Sequence, residues 1–316
     1  MIITFTPNPS VDRTAPLLDD VRIGKLNRLG GVSSIAAGKG VNISVAVHRA
    51  GHPTLAIVPA DYNDPLVEAL RQREVPARIV PVGHRARTNL NIAHPDGTTT
   101  HFNEPGEPMS HENVTALVSA LMATLPGASW LALCGSLPPG APTDWYVRLT
   151  QTARKVGVQV AVDASGPALD AVVAALPESA PDLISPNASE LGQVTGLEVL
   201  AGVLAGDITP AVEGALYLVA QGAPRVLATT GALGAVLATR DGVWHAQAAP
   251  VTVVSSTSAG DAALAGYLLA KVRGADEPTA VARAVAYGTA CVLKTGSQVP
   301  LPEEADAIDV AVRRLA

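Results

Sequence analysis

Short apolar runs recur along this chain, each too brief for a helix and each followed by turn residues and a helical stretch. That alternation narrows the possible folds more than any other feature. Ile2–Thr6, Thr54–Val58, Trp130–Cys134, Val158–Val162, Asp182–Ser185 and Arg225–Thr229 are such runs. They lack the polar/apolar alternation of a half-solvated sheet, which points to parallel strands buried on both faces. Helical patterns occupy Gly40–Ala50, closed by Gly51, and Asp64–Glu74, ending before Val75-Pro76; from Gly260 to Leu293 the chain reads as mostly helical. This is the grammar of an α/β fold with crossover helices.

Two segments break the alternation. Asp12–Ser34 and Arg85–Phe102 hold Thr, Val and Asn at strand-like spacing with Gly turns, and Asp96-Gly97 is a hairpin signal. They are expected to pair as a small antiparallel sheet beside the main body. At 316 residues the chain suits one large α/β domain or two smaller ones. With 48% hydrophobic and 16% charged residues it has ample core material, which excludes disorder, collagen and coiled coil.

Aromatics at 3% leave little for stacking bases, and a net charge of -6 gives no general attraction to polyanions, so nucleic acid is not an expected partner. The charge is unevenly spread. Residues 1–100 hold 11 Lys/Arg against 8 Asp/Glu, a balance of +3, and the remainder balances at -9. Cys134 and Cys291 have no metal-ligand spacing and are too few for a disulfide framework; the seven histidines show no zinc pattern. The start Met1-Ile-Ile-Thr-Phe-Thr carries no signal-peptide pattern, and the uncharged runs Ala262–Ala270 and Ala284–Leu293 fall short of the ~20 residues that span a bilayer. A cytoplasmic protein with no membrane partner is expected.

Common nucleotide signatures fail. A Walker loop would need Ser or Thr after Gly38-Lys39, where Gly40 stands, and Gly at Ser33; a dinucleotide fingerprint would need Gly at Ile43. Other short patterns carry chemistry. Ala36-Ala37-Gly38-Lys39-Gly40-Val41-Asn42 precedes a helix, where glycines and amides suit an anion and Asn42 suits a sugar hydroxyl, or else it is an ordinary turn with a solvated lysine. Ser258-Ala259-Gly260-Asp261 opens a helix and reads either as an anion pocket with a proton-accepting carboxylate or as a plain helix cap. Asn187 and Glu190, three apart, fit a Mg²⁺ held through water or a cap. The Thr229–Gly234 stretch, with Gly231 and Gly234, fits phosphate contacts or a hairpin. Asp12 follows the first strand, where α/β folds place ligand groups, and Arg87 suits a bidentate phosphate grip or a solvated lid.

The order of these motifs resembles the ribokinase-like (PfkB) sugar kinases and, within them, the hexose-phosphate group of the 1-phosphofructokinases. The resemblance covers essentially the whole chain. It rests on Thr6-Pro-Asn-Pro-Ser-Val-Asp12, Ala37-Gly-Lys-Gly-Val-Asn42, Asn103-Glu-Pro-Gly106, Gly135-Ser-Leu-Pro-Pro-Gly140, Asp163-Ala-Ser-Gly166, Pro186-Asn-Ala-Ser-Glu190 and Ala259-Gly-Asp261. It implies a single three-layer α/β kinase domain, 1–316, with a discontinuous β lid from about 12–34 and 85–102 that serves homodimerisation. By resemblance Asp261 is the general base, with the amides of Ser258, Ala259, Gly260 and Asp261 as anion hole. Asn187 and Glu190 organise Mg²⁺ and ATP phosphates, with Thr229, Gly231 and Gly234 in the nucleotide loop. Asp12, Gly38, Lys39 and Asn42 hold the sugar, Arg87 and Lys39 meet its existing phosphate, and Ser136 adds a polar contact. Lys25 matches a position that reaches ATP, in the partner subunit.

The implied reaction is ATP-dependent phosphorylation of fructose 1-phosphate to fructose 1,6-bisphosphate. Tagatose-6-phosphate and 6-phosphofructokinase activities share the motifs, and a non-catalytic sugar-phosphate sensor is the reading from another class. Three positions depart from the family pattern: Ser258 for Gly, Ser185 for Lys, and Thr229-Thr230-Gly231 for Ser-Leu-Gly. They bear on the ATP side more than on the sugar side.

Overall fold

The computed structural model describes residues 1–95 and 98–316. The chain opens with β1 (Ile2–Phe5), β2 (Ser10–Pro16) and β3 (Ser33–Ala37), then enters α1 (Lys39–Arg49). β4 (Thr54–Pro59), α2 (Pro65–Gln72) and β5 (Ala77–Val80) make a parallel βαβ unit. β6 (Arg87–Ala93) and β7 (Thr99–Asn103) follow, then α3 (His111–Met122). Alternation resumes with β8 (Trp130–Cys134), α4 (Trp145–Lys155), β9 (Gln159–Asp163), α5 (Pro167–Ala174) and β10 (Leu183–Ile184). Helices α6 (Ala188–Thr195), α7 (Val199–Leu204) and α8 (Thr209–Ala220) lead to β11 (Arg225–Thr229). A short 3-10 turn separates it from β12 (Ala235–Thr239) and β13 (Gly242–Ala248). The chain closes with α9 (Ala259–Val272), α10 (Glu277–Val292), α11 (Pro302–Asp306) and β14 (Val310–Arg314).

The main sheet runs β14-β13-β12-β11-β10-β9-β8-β1-β4-β5. Neighbours from β5 to β11 are parallel, whereas β11 to β14 pair antiparallel. Ile2 belongs to the core shared with α1, α2, α9 and α10, while Ile3 points into the core shared with α3, α4, α5, α6 and α8. Helices therefore cover both faces in a three-layer α/β arrangement. This explains why the parallel strands read as unbroken apolar runs. No helix among the described residues is long and apolar enough to cross a membrane.

The hairpin that the Thr229–Gly234 stretch allows joins β11 to β12, and the antiparallel pairing extends through β13 and β14, which the sequence reading does not include. The Asp241-Gly242 pair at the start of β13 was the local signal of that extension. The small sheet exists with order β3-β2-β6-β7, but it is mixed: β2 pairs β6 in parallel, with Asp12 opposite Asn89. The expected all-antiparallel sheet is corrected by topology. β2 and β6 each leave the main sheet after a parallel strand, so both set out in the same direction. Asp96-Gly97, the turn expected between β6 and β7, lies outside the described residues.

Candidate active site

The site is assembled at the start of α1. Gly38, the residue before the helix, has φ 119, and a Cβ there would stand 2.9 Å from Thr6 Cγ2. Glycine allows α1 to begin hard against the exit of β1. That entry sets Lys39 and Asn42, one helical turn apart, on a common side. Asn42, buried, donates through Nδ2 to Asp261 Oδ2 (2.8 Å) and to Ser258 Oγ (2.9 Å). Its Oδ1 accepts from Arg73 Nη1 at 2.8 Å. Both sides of the Asn42 amide are thus engaged within the protein, its NH₂ fully and its oxygen through one of two lone pairs.

Asp261 lies in the first turn of α9, where the amides of Gly260 and Asp261 have no helical acceptor ahead of them. A Cβ added at Gly260 would meet nothing within 4 Å, so open space lies beside these amides. Ser258 precedes them at φ 65 with no side-chain cap bond; its hydroxyl accepts from Asn42 instead. The left-handed conformation, which glycine adopts freely, is borne here by serine at a cost of about 1–2 kcal/mol. Burial, then the neighbouring Asp163 charge, pushes the Asp261 carboxyl up to about 7, against the opposing pull of Lys39 and the Asn42 hydrogen bond.

Lys39 Nζ donates to Asp163 Oδ1 and, at 3.3 Å, to Glu190 Oε1. Burial alone would lower its pKa, but Asp163, Glu190 and Asp261 outweigh burial and hold the ammonium above the ordinary lysine range. Burial raises Glu190, with Lys39 opposing. Lys39 therefore sits with three carboxylates, two of them hydrogen-bonded to it. Asp163 was missed as a site residue. A lone Asp closing a buried parallel strand was its signal.

Arg87 stands on the other side, on β6. Its Nε donates to Asn8 O (3.2 Å) and Nη1 to Glu104 O (2.9 Å); burial lowers its pKa somewhat. Asn8 Nδ2 reaches Ser136 Oγ at 3.3 Å, so Arg87 and Ser136 share a neighbour. Between the clusters Asp12 Oδ1 accepts from Ser10 Oγ (2.8 Å) and Asn89 Nδ2 (2.9 Å), and Oδ2 accepts from Ser297 Oγ (2.7 Å).

Asn187 and Glu190 form a reciprocal capping box: Asn187 Oδ1 accepts from Glu190 N and Glu190 Oε2 accepts from Asn187 N, both at 2.9 Å. Asn187 also bridges to Thr229, which brings the two nucleotide candidates together. Gly231 opens the 3-10 turn of the β11–β12 hairpin and Gly234 follows it. A Cβ at Gly234 would strike Ala246 O at 2.0 Å, so its glycine is required by β13 irrespective of any ligand. Lys25 is exposed in the loop between β2 and β3, and its backbone bonds stay there, to Arg22 and Asn27.

A buried carboxylate of raised pKa beneath the Gly260 and Asp261 amides, which have no helical acceptor, suits removal of a proton from a hydroxyl beside a transferring anion. The fold and this site define a phosphotransferase that uses an alcohol group as acceptor. Residues 6–304 match the pfkB family of carbohydrate kinases, and the chain belongs to that family. It is 32% identical over 297 residues to a 1-phosphofructokinase of Xanthomonas campestris, covering 93% of this chain and 91% of that one. With a 1-phosphofructokinase of Rhodobacter capsulatus it shares 33% identity over 328 residues, 97% of this chain and 95% of the relative. Phosphofructokinase-2 from Escherichia coli, solved with fructose-6-phosphate, superposes with TM-score 0.85 at 26% identity and 96% coverage of both chains. The resemblance and the three-layer fold expected from the motifs are borne out.

Proposed function

We propose that the protein transfers the γ-phosphoryl of ATP to the free primary hydroxyl of fructose 1-phosphate, giving fructose 1,6-bisphosphate and ADP. The observation that carries this reading is Asp261, buried at the start of α9 with a pKa of about 7 and held by Asn42, with open space beside the adjoining Gly260. The naming of both similar curated relatives supports the substrate. The hydroxyl oxygen attacks the γ-phosphorus, the bond to the β,γ-bridging oxygen breaks, and Asp261 takes the hydroxyl proton. The Gly260 and Asp261 amides offset charge on the phosphoryl oxygens.

The second terminal nitrogen of Arg87, its other two nitrogens being spent on carbonyls, meets the phosphate already on the sugar, with Ser136 nearby. Asp12 orients the sugar, and Gly38 lets it approach the start of α1. Lys39, held by Asp163 and Glu190, faces the transferring group rather than the far phosphate. Thr229, Gly231 and Gly234 border the nucleotide.

Mg²⁺, when bound, supplies charge neutralisation on the nucleotide phosphates. Among the described residues no three His, Cys, Asp or Glu side chains gather as a metal cage. Asn187 Oδ1 and Glu190 Oε2 are taken by the capping box, so these residues fit the ion through water. The small sheet acts as a lid on a single cytoplasmic kinase domain. Its loop exposes Leu18 at 62%, Ile23 at 94% and Leu26 at 71%, apolar surface suited to a homodimer that would bring Lys25 near the partner's nucleotide.

A coupled ADP-release assay across fructose 1-phosphate, tagatose 6-phosphate and fructose 6-phosphate tests the reading. Fructose 1-phosphate is expected to give the highest kcat/KM. A higher value with either other sugar reassigns the substrate, and binding without turnover on all three makes the protein a sensor.

A further inference from the structure

Arg73 follows α2 as its C-terminal cap, in a run (Arg71-Gln-Arg73) that looks like ordinary helix surface. Its side chain turns inward. Nη1 donates to Ala36 O in β3 (2.6 Å) and to Asn42 Oδ1 (2.8 Å), while Nη2 lies 3.5 Å from Ser297 O. Among the described residues it makes no carboxylate ion pair; its charge is directed at a carbonyl, a carboxamide and a loop. Burial and the Arg49 charge lower its pKa to about 10, against the pull of Asp12 and Asp261.

Each of two branches ends on a carboxylate of the site. Asn42, fixed by Arg73, donates to Asp261; Ser297, whose carbonyl faces Arg73, donates to Asp12. The first branch is directional. A carboxamide whose oxygen is held by a guanidinium must present its NH₂ to the opposite side, which makes it a donor to Asp261 instead of a repelling acceptor.

We propose that Arg73 is a positioning residue: it locks Asn42 as a hydrogen-bond donor to Asp261 and, through Ser297, ties the same anchor to Asp12. The role assigned to Asp261 rests on the kinase reading above; the coupling itself rests on the hydrogen bonds alone. One cation thereby sets both the group that accepts the proton and the group that orients the sugar. The charged and titratable groups facing Asp261 are Lys39 on α1, Asp163 on β9, Asp12 on β2, Arg73 behind Asn42, and the thiols Cys134 on β8 and Cys291 on α10. Of these, only Arg73 acts through the Asn42 amide.

The test is a ¹³C-carboxylate NMR titration of Asp261 in the intact, ligand-free chain, native and Arg73→Met, with the resonance assigned by Asp261→Asn. Loss of a facing cation and of the amide's orientation is expected to raise the Asp261 titration by about one unit. The acid limb of kcat/KM should move with it. Ser297→Ala should raise KM for the sugar severalfold and leave the Asp261 titration in place. A folded Arg73→Met with native titration overturns the proposal. Should Arg73→Met fail to fold, the native protein decides: resolved Arg73 Nη protons with cross-peaks to the Asn42 carboxamide support it, and a freely rotating guanidinium overturns it. The titration needs no turnover. A shifted Asp261 in a protein that phosphorylates none of the three sugars sinks the kinase reading and spares this one, and an active kinase with unmoved titration does the reverse.

Discussion

Helices α6 and α9 both bring a first-turn carboxylate towards Lys39, yet their starts are built in opposite ways. At α6 the extended Asn187 (φ -81, ψ 175) and Glu190 satisfy one another's backbone amides. At α9 the residue before the helix is Ser258 in the left-handed region, and its side chain caps nothing. The orphan amides of a helix start must find partners. At α6 they find them inside the helix, which frees Glu190 Oε1 to hold Lys39 and leaves ligands to be reached through water. At α9 the Ala259 amide donates to Ser256 O at 3.3 Å, while those of Gly260 and Asp261 are left beside open space, with a carboxylate of raised pKa beneath. Within the proposed function, one helix start is an anchor and the other is the place where chemistry occurs.

The sharpest way to break that contrast is Asp261→Asn. It is expected to lower kcat by about 10²–10⁴, the range for loss of a general base, while circular dichroism stays native. Activity within a fewfold of native would remove Asp261 from its role. Because its pKa lies at about 7, kcat/KM should rise with pH up to that value and then level off, falling tenfold per unit on the acid side. The same shift has a stability consequence. A carboxyl whose folded pKa is raised keeps a proton the unfolded chain gives up, so Asp261 lowers stability as pH climbs from the ordinary carboxylate range through about 7. Melting curves should therefore show Asp261→Asn gaining on native more at pH 8 than at pH 5; equal gaps at both pH values would contradict the buried charge.

The contrast also separates what local sequence reveals from what it does not. Trp130–Cys134 and Arg225–Thr229 are legible as strands to the residue, because burial on both faces writes a continuous apolar run. β14 is not, since Val310–Arg314 is largely exposed and becomes a strand by pairing with β13, far away in sequence. In the site, Asn42 and Asp261 sit in recognisable patterns before helices, and the structure joins them across 219 residues. Arg73 has no such mark. Nothing near it distinguishes a solvated helix arginine from one reaching Asn42, because its partners come from β3, α1 and the loop after α10. Lys39 was legible as a cation at a glycine-flanked helix start but not in its partners, since Asp163 and Glu190 arrive from two other crossover units.

A smaller effect probes the anchor. Asn187→Ala removes the side-chain acceptor for the Glu190 amide and should cost about 1 kcal/mol by denaturant unfolding. The Mg²⁺ concentration for half-maximal rate should rise only a fewfold, since water-mediated contacts are individually modest. An unchanged stability with a Mg²⁺ requirement raised a hundredfold would make the start of α6 a ligand site first and a cap second, and the two helices would then be alike.

The smallest effect bears on Ser258. Serine at φ 65 bears a Cβ penalty but contributes a hydroxyl to Asn42, so replacing it mixes two effects of similar size. Comparing Ser258→Gly with Ser258→Ala separates them. Both lose the hydroxyl, and only alanine keeps the Cβ in a left-handed position, a penalty of about 1–2 kcal/mol. Glycine returns about 0.5–1 kcal/mol of that through its greater unfolded-state freedom. Glycine should consequently be the more stable of the pair by about 0.5–1 kcal/mol, the reverse of the usual order of the two residues in helices. Alanine equal to or better than glycine would mean that the left-handed turn relaxes when the hydroxyl is lost. The α9 start would then be held open by the Asn42 bond and not by the backbone, and the strain that distinguishes it from α6 would be a consequence of Asn42.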